Sequence, residues 1–275
     1  MNFKNKTIVI TGAGSGIGKA LAIEFARLGA NLAVCDNDLN MLQETVEAVK
    51  AEEVKIFSKL VDVSDNEAMI AFAQEVKETI GNTDVLINNA GVGQGKMTIE
   101  ESSIADMEWV MNINFWGMVY GTKAFLPQLK KQEATALINV SSIAGLIPVK
   151  NQAAYAASKF AIRAITESLM MELTDTNIQV HSVHPGGIRT NIVKTARGGD
   201  PDYAKVFEKV QVQTPDYAAK KIIKGIEKNR SRIIVGTDAK FAFTAARILP
   251  LKLFNYFQLL FLKKVEDKVR KKTTF

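Results

Sequence analysis

Short β-branched and apolar runs alternate with longer stretches of helical period along most of this chain. Thr7–Thr11 (TIVIT) shows no in-and-out alternation, as expected of a strand buried on both faces. Comparable runs return at Asn31–Cys35, Lys55–Val61, Val85–Ile87, Ala136–Val140, Gln179–His184 and Arg232–Val235. Between them, apolar spacing predicts a helix ending at Leu28, another over Leu39–Ala51, and a third reaching Ile80 behind a Ser64 or Asp65 cap. Further helices are expected over Ala105–Lys131, through the Ala-rich run around Tyr155, and over Pro215–Asn229. Strands and helices in this alternation imply an α/β fold, one doubly wound and mostly parallel sheet with helices on both faces. Asn191–Thr214 lacks a clear period, contains Gly198-Gly199-Asp200-Pro201, and reads as a mobile lid. No internal repeat or second domain boundary interrupts residues 1–239.

The strand ends carry the candidate chemistry. After Thr7–Thr11 comes T-G-A-G-S-G-I-G, with Gly12, Ser15, Gly16, Ile17 and Gly18 opening a helix. A strand, a glycine turn and a helix N-terminus together aim backbone N–H groups at a phosphate. The spacing is T-G-x-x-x-G-x-G rather than G-x-G-x-x-G, so a tight strand–helix packing turn is the competing reading. Asp36, at the end of the second strand, stands where a dinucleotide-binding unit bonds the adenosine ribose hydroxyls. A carboxylate there repels a 2′-phosphate, and Ser15 and Asn37 bring no positive charge; a helix cap or solvated acid is the alternative. Asp62, followed by Val63, suits an adenine edge, and Asn88-Asn89-Ala90-Gly91 forms a tight turn at the carboxyl edge of the sheet. Gly93, Gln94, Gly95 and Met97 form a loosely specified loop beyond it. Asn114 and Gly117 fall inside an expected helix, where Asn is ordinarily a tolerated surface residue. His181 and His184 lack a cysteine cluster or third ligand nearby and read as strand-end histidines rather than a metal site.

Tyr155 and Lys159 are four apart in Y-A-A-S-K and project from one face of a helix. A positive charge beside a phenol favours tyrosinate, which suits general acid–base work. Tyr217 and Lys221 repeat the spacing. Only Tyr155 follows a strand ending in a serine pair, Ser141 and Ser142, that can face the phenol.

Composition narrows the function classes. Hydrophobic residues make up 47% and charged residues 23%, the balance of a soluble globular protein. The single cysteine, Cys35, reads as a small core residue, forms no internal disulfide and fits a reducing compartment. Met1–Lys6 is polar and shows no secretory leader, so a cytoplasmic location is expected. Of the net charge of +6, residues 240–275 contribute nine Lys/Arg against two Asp/Glu. The main body therefore has no basic stripe, and nucleic acid is not an expected partner.

Taken together, T-G-A-G-S-G-I-G, N-N-A-G, Asn114 with Gly117, Ser142, Y-A-A-S-K and P-G-G resemble, in order, the motifs of the short-chain dehydrogenase/reductase family. The likeness spans about Lys6 to Val235. It implies a single Rossmann-like sheet of about seven strands, with residues 1–239 as the dinucleotide-binding catalytic domain. It also implies a homodimer or homotetramer packed through the long central helices. The implied activity is hydride transfer between a nicotinamide cofactor and a secondary alcohol or ketone, and Asp36 makes NAD(H) the expected choice over NADP(H). By the resemblance Tyr155 is the acid/base, Lys159 binds the nicotinamide ribose and lowers the Tyr155 pKa, and Ser142 bonds the substrate oxygen. Asn114 holds a water of the proton relay, while Pro185, Gly186, Ile188 and Thr190 meet the nicotinamide end. Asn89, Ala90 and Gly91 complete the implied cofactor contacts, and no metal is expected. Leu146, Ile147 and Pro148, with Met97 facing them, favour an apolar, lipid-, steroid- or acyl-like substrate. The competing class is a non-catalytic NAD-binding protein that acts through its tail; the intact Ser–Tyr–Lys–Asn set argues against it.

The 240–275 extension is distinctive. Leu251–Leu262 (LKLFNYFQLLFL) is too short for a bilayer span, which needs about twenty residues. On a helix Leu253, Phe254, Phe257, Leu260 and Phe261 share a face, and basic residues follow. Residues 251–272 thus suit peripheral contact with an anionic membrane; the alternative is packing on the catalytic domain or a sister subunit, over the substrate pocket.

Overall fold

The computed structural model describes residues 1–193, 196–198 and 213–273, with the backbone alone at 193, 261 and 264–273. Its centre is a sheet of β1 (Thr7–Thr11), β2 (Asn31–Asp36), β3 (Ile56–Leu60), β4 (Val85–Asn88), β5 (Thr135–Val140), β6 (Ile178–Pro185) and β7 (Arg232–Val235). The strand order is β3-β2-β1-β4-β5-β6-β7, and every neighbouring pair is parallel. Ile10 pairs with Val34 on one side and Ile87 on the other, so β1 is an interior strand, beside the central β4. From β1 the chain steps outward to β3, then returns to β4 and steps the other way. The crevice outside the carboxyl ends of β1 and β4 is the place where such sheets bind ligands.

Alternate strand residues feed two cores. Ile8, Ile10, Leu32, Val34 and Ile138 face a layer built by α1 (Gly16–Arg27), α2 (Leu39–Val49) and α7 (Pro215–Glu227). Val9, Ala33, Leu86 and Leu137 face α3 (Asn66–Thr79), α5 (Gly117–Leu129) and α6 (Ala153–Glu172). The two-residue strand period thus sends apolar side chains to both faces, which explains runs without polar alternation. Cys35 belongs to the second core, and burial pushes its thiol pKa well above the ordinary value. The caps follow the sequence: Asp65, rather than Ser64, accepts from Glu67 and Ala68 N–H at 2.9 and 3.1 Å. Thr214 caps α7 ahead of Pro215.

The helix expected over Ala105–Lys131 is interrupted. α4 (Ile104–Met111) passes through a π-helical turn, Asn112–Trp116, into α5. The wider turn changes the helical phase at Asn114, which is fully buried rather than a surface residue.

Beyond β7, α8 (Thr237–Ile248) and α9 (Leu251–Thr273) meet at Pro250, so residue 239 lies within α8. Leu146, Ile147 and Phe254 form a separate buried cluster, joined by Phe243, Ala246 and Leu249. Gln258 of α9 donates to the Pro148 carbonyl at 2.8 Å. The tail therefore packs on the loop that follows Ser142. Among the described residues, no helix is long and apolar enough to cross a membrane. Most of the expected lid, residues 194–195 and 199–212, lies outside the described residues.

Phe72 is fully buried, stacked on Phe57 and edge-on to Phe125. Phe72→Ala should cost about 3–5 kcal/mol, read as a lower urea midpoint with little change in slope.

Candidate active site

At the carboxyl edge of the sheet a cleft of about 560 Å³ opens between the ends of β1, β4 and β6, within the ~300–1,000 Å³ range of small-ligand sites. Its floor is set by Thr11, whose hydroxyl accepts from the N–H groups of Asn89 and Ala90 at 3.0 and 3.1 Å. Asn89 returns the tie by donating its side-chain amide to the Thr11 and Gly12 carbonyls, both at 3.0 Å. Gly12 holds φ +66°, and a Cβ there would lie 2.7 Å from the Ala90 Cα. A Cβ on Gly18 would overlap the Gly12 carbonyl, so α1 can approach β1 this closely only with glycine. Gly18 thus builds the turn from behind, while Gly12, Ser15, Gly16 and Ile17 line the cleft. Ser15 offers no side-chain cap and the first turn of α1 has no acid, leaving its amides toward an anion.

Farther along, Asp36 lines the cleft with one carboxylate oxygen accepting from Gly14 N–H at 2.7 Å and the other from Asp38 N–H at 3.1 Å. Asp38 and Asp62 line the same end, and no lysine or arginine among the described residues lines it. One Asp62 oxygen is held by Ser64, through its N–H at 2.9 Å and its hydroxyl at 2.7 Å. Val63, Ala90 and Gly91 are also lining residues.

The other end gathers Ser142, Tyr155 and Lys159 with Pro185, Gly186, Ile188 and Thr190. Lys159 is buried; its Nζ donates to the Val140 carbonyl at 3.2 Å and stands 5.7 Å from the Tyr155 ring centre. Removing an ammonium from water disfavours its charge, and burial lowers the Lys159 pKa to about 8. Burial also raises the Tyr155 pKa, partly offset by a hydrogen bond with the Ser142 hydroxyl. The lowering expected from Lys159 does not govern the phenol in this arrangement: desolvation wins, and Ser142 supplies the opposing interaction.

Several residues hold this trio without lining a reactive position. Asn114 accepts from Val92 N–H at 2.8 Å and donates to the Val92 carbonyl and the Ser158 hydroxyl, both at 3.0 Å. Ser158 in turn donates to the Tyr155 carbonyl at 2.7 Å. Asn114 therefore stands behind the cleft, clamping the β4 loop to α6. Both serines border the cleft, but Ser141 is buried and donates to the Lys159 carbonyl at 2.8 Å, fastening the helix, whereas Ser142 is the more exposed of the two. His184 bridges the Ser142 carbonyl at 3.1 Å and the Ser182 hydroxyl at 2.8 Å; burial pulls its pKa down to about 4, keeping it neutral. His181 likewise meets the Arg230 carbonyl at 2.8 Å.

Two contributors were not legible from sequence spacing. The side-chain oxygen of buried Gln94 accepts from Tyr155 N–H at 3.1 Å, capping α6 from a distant loop where Gln152 makes no side-chain cap. Asp238 accepts from Gly187 N–H at 2.8 Å and so fixes the P-G-G turn. Neither belongs to a local motif; only contact across the fold reveals them. The substrate-side expectation also changes. Leu146 and Ile147 are turned into the tail cluster, and the apolar lining comes instead from Val92, Trp109, Ile113, Ile143 and Ile192. Met97 packs toward Gly198. Tyr217 and Lys221 sit on the outer face of α7, their ring and ammonium 5.3 Å apart, away from the cleft.

Comparison with known proteins agrees with this geometry. A profile described as short chain dehydrogenase matches residues 6–200. SadH, a Mycobacterium tuberculosis (H37Rv) protein assigned as an oxidoreductase, is 38% identical over 255 residues, covering 90% of this chain and 92% of its own. A short-chain dehydrogenase/reductase from Burkholderia phymatum, solved with NAD, superposes with a TM-score of 0.83 at 27% identity over 90% of this chain and 96% of its own. An alcohol dehydrogenase from Thermococcus sibiricus, solved with 5-hydroxy-NADP, gives a TM-score of 0.73 at 28% identity over 84% and 95%. The chain belongs to the short-chain dehydrogenase/reductase family of oxidoreductases.

Proposed function

We propose that the chain interconverts an apolar secondary alcohol and its ketone with NAD(H) as the preferred cofactor. The observation that carries this reading is the meeting of Ser142, Tyr155 and Lys159 at one end of a cleft whose other end presents Asp36. The cleft fits a dinucleotide: it has uncapped α1 amides for phosphates, a carboxylate for ribose hydroxyls, and a buried ammonium. For the Lys159 ammonium, the Val140 carbonyl is the one hydrogen-bond acceptor among the described residues, so donors remain for a second ribose. When bound, the nicotinamide supplies or accepts the hydride. Tyr155 donates its phenolic proton to the substrate oxygen on reduction and recovers it on oxidation. Ser142 holds that oxygen in place and also bonds the phenol. The Lys159 ammonium passes a proton toward the spent phenolate and takes one back from solvent, and Asn114 shapes the path behind it. Pro185, Gly186, Ile188 and Thr190 wall the nicotinamide end.

An apolar substrate is supported by Val92, Trp109, Ile113, Ile143 and Ile192 in the lining. NAD preference is supported by Asp36, Asp38 and Asp62, which would oppose a 2′-phosphate. A homodimer or homotetramer is supported by exposed Ile104, Trp116, Phe160 and Met171 on the central helices. The single buried cysteine is consistent with a cytoplasmic enzyme.

Screening carbonyl compounds for NADH oxidation identifies a substrate for the following measurements. Tyr155→Phe should lower kcat by about a hundred- to ten-thousand-fold while NADH binding, followed by fluorescence, stays nearly intact; Tyr217→Phe should be silent. Retention of most activity by Tyr155→Phe would refute the assignment. Asp36→Ala should narrow the NAD(H)/NADP(H) preference in kcat/KM by about a hundredfold. Equal wild-type efficiency with both cofactors would remove the basis for NAD preference. Because the Lys159 pKa is lowered to about 8, its charge is present below that pH and lost above it. For reduction, kcat/KM for NADH should therefore be level at lower pH and fall as pH rises through about 8, while the raised Tyr155 pKa keeps the phenol protonated. A profile flat to pH 10 would contradict this role for the Lys159 charge.

A further inference from the structure

The tail helix divides its apolar residues between two opposite duties. Phe254 is 7% exposed in the cluster with Leu146 and Ile147, and Gln258, one turn on, donates to the Pro148 carbonyl. Those two residues define the face of α9 that meets the body. Leu253, Phe257 and Leu260, at i, i+4 and i+7, define a different face, and they are 42%, 51% and 46% exposed. Tyr256 beside them is 58% exposed. Phe254 is thus withdrawn from the stripe that sequence spacing assigns to it, yet the stripe survives without it. The next positions in the same helical register are Lys264, Lys268 and Lys271, with Lys263, Arg270 and Lys272 flanking them. An exposed apolar stripe therefore runs directly into a cationic one.

We propose that this outer face of α9 docks on the surface of an anionic lipid bilayer, with Leu253, Phe257 and Leu260 in the acyl boundary and the following lysines among the headgroups. Charge complementarity selects this occupant. Six Lys/Arg between residues 263 and 272 stand against only Glu266 and Asp267. A second copy of the chain meeting this face symmetrically would set cation against cation, whereas an anionic bilayer satisfies both halves of the stripe. The contact is peripheral, since among the described residues no helix is long and apolar enough to cross a membrane. Because α9 is fastened to Pro148, docking would hold the loop that follows Ser142 at the lipid surface. The inference does not depend on the identity of the substrate or on the direction of catalysis.

Flotation of the full chain tests it, using phosphatidylcholine vesicles and vesicles of phosphatidylcholine and phosphatidylglycerol in equal parts. The wild-type chain should float with the anionic vesicles at low salt, dissociate at high salt, and ignore the neutral ones. Leu253→Gln/Phe257→Gln/Leu260→Gln should abolish flotation without lowering the melting temperature, because these side chains are exposed. Lys264→Glu/Lys268→Glu/Lys271→Glu should weaken it by roughly a hundredfold or more and carries the test if the first variant misfolds. The proposal is overturned if wild-type protein fails to float, if it binds neutral vesicles equally well, or if either folded variant floats like wild type. It is also overturned if the apolar variant floats unchanged while light scattering reveals a smaller oligomer, which would assign the face to a sister subunit.

Discussion

Placing an ammonium group out of water beside a phenol is the constraint around which the catalytic half of this fold is arranged. Lys159 is 3% exposed, and a buried cation is costly unless its donors find acceptors. The Val140 carbonyl, at the carboxyl end of β5, supplies one. Reaching it requires α6 to lie close against the strand end, and the Ser141 hydroxyl and the Gly145 turn hold it there. Gly91 contributes by omission: a Cβ would stand 3.2 Å from the ammonium nitrogen and 3.1 Å from the Asn114 side-chain oxygen. The resulting pKa near 8 leaves the group charged at neutral pH yet readily discharged, a useful property in a proton path.

The same economy links the halves of the cleft. Thr11, at the end of β1, anchors the turn after β4, and that turn carries Val92 to Asn114. Asn114 then reaches Ser158 and, through it, the backbone of Tyr155. A chain of buried polar contacts therefore runs from the end of β1 to Tyr155. Each member is satisfied by another, as buried polar groups must be in order to stabilise a single arrangement.

Much of this architecture was legible in sequence because it rests on local rules. The strands were recognisable from β-branched runs, the turns from glycine, and the sheet from strict alternation; β1 and β7 match their expected limits. The cleft residues were legible because strand ends in a doubly wound sheet converge on one edge. What escaped was non-local. Nothing in N-I-N-F-W specifies a π turn, because its widened bonding is rewarded only by burial of Asn114 against Val92 and Ser158. Gln94 looked like an unremarkable loop residue because its partner lies sixty-one positions away. Leu146 and Ile147 looked like pocket walls because their actual neighbour, Phe254, is more than a hundred residues downstream. Periodicity describes a helix face but not which of two faces the body will claim.

The distant cap on α6 also bears on how the cleft can open. Gln94 spends its side-chain oxygen on Tyr155 N–H and its amide on Ser102, while its carbonyl accepts from Gln152 at 3.3 Å and its backbone bridges to Arg197. A loop joined in this way cannot swing outward as a flap and leave the helix as it was. Its departure would expose a first-turn amide and loosen Tyr155, the proposed acid/base. Wall and helix are thereby coupled: displacing Gln94 removes the side-chain cap of α6 together with the loop's other ties.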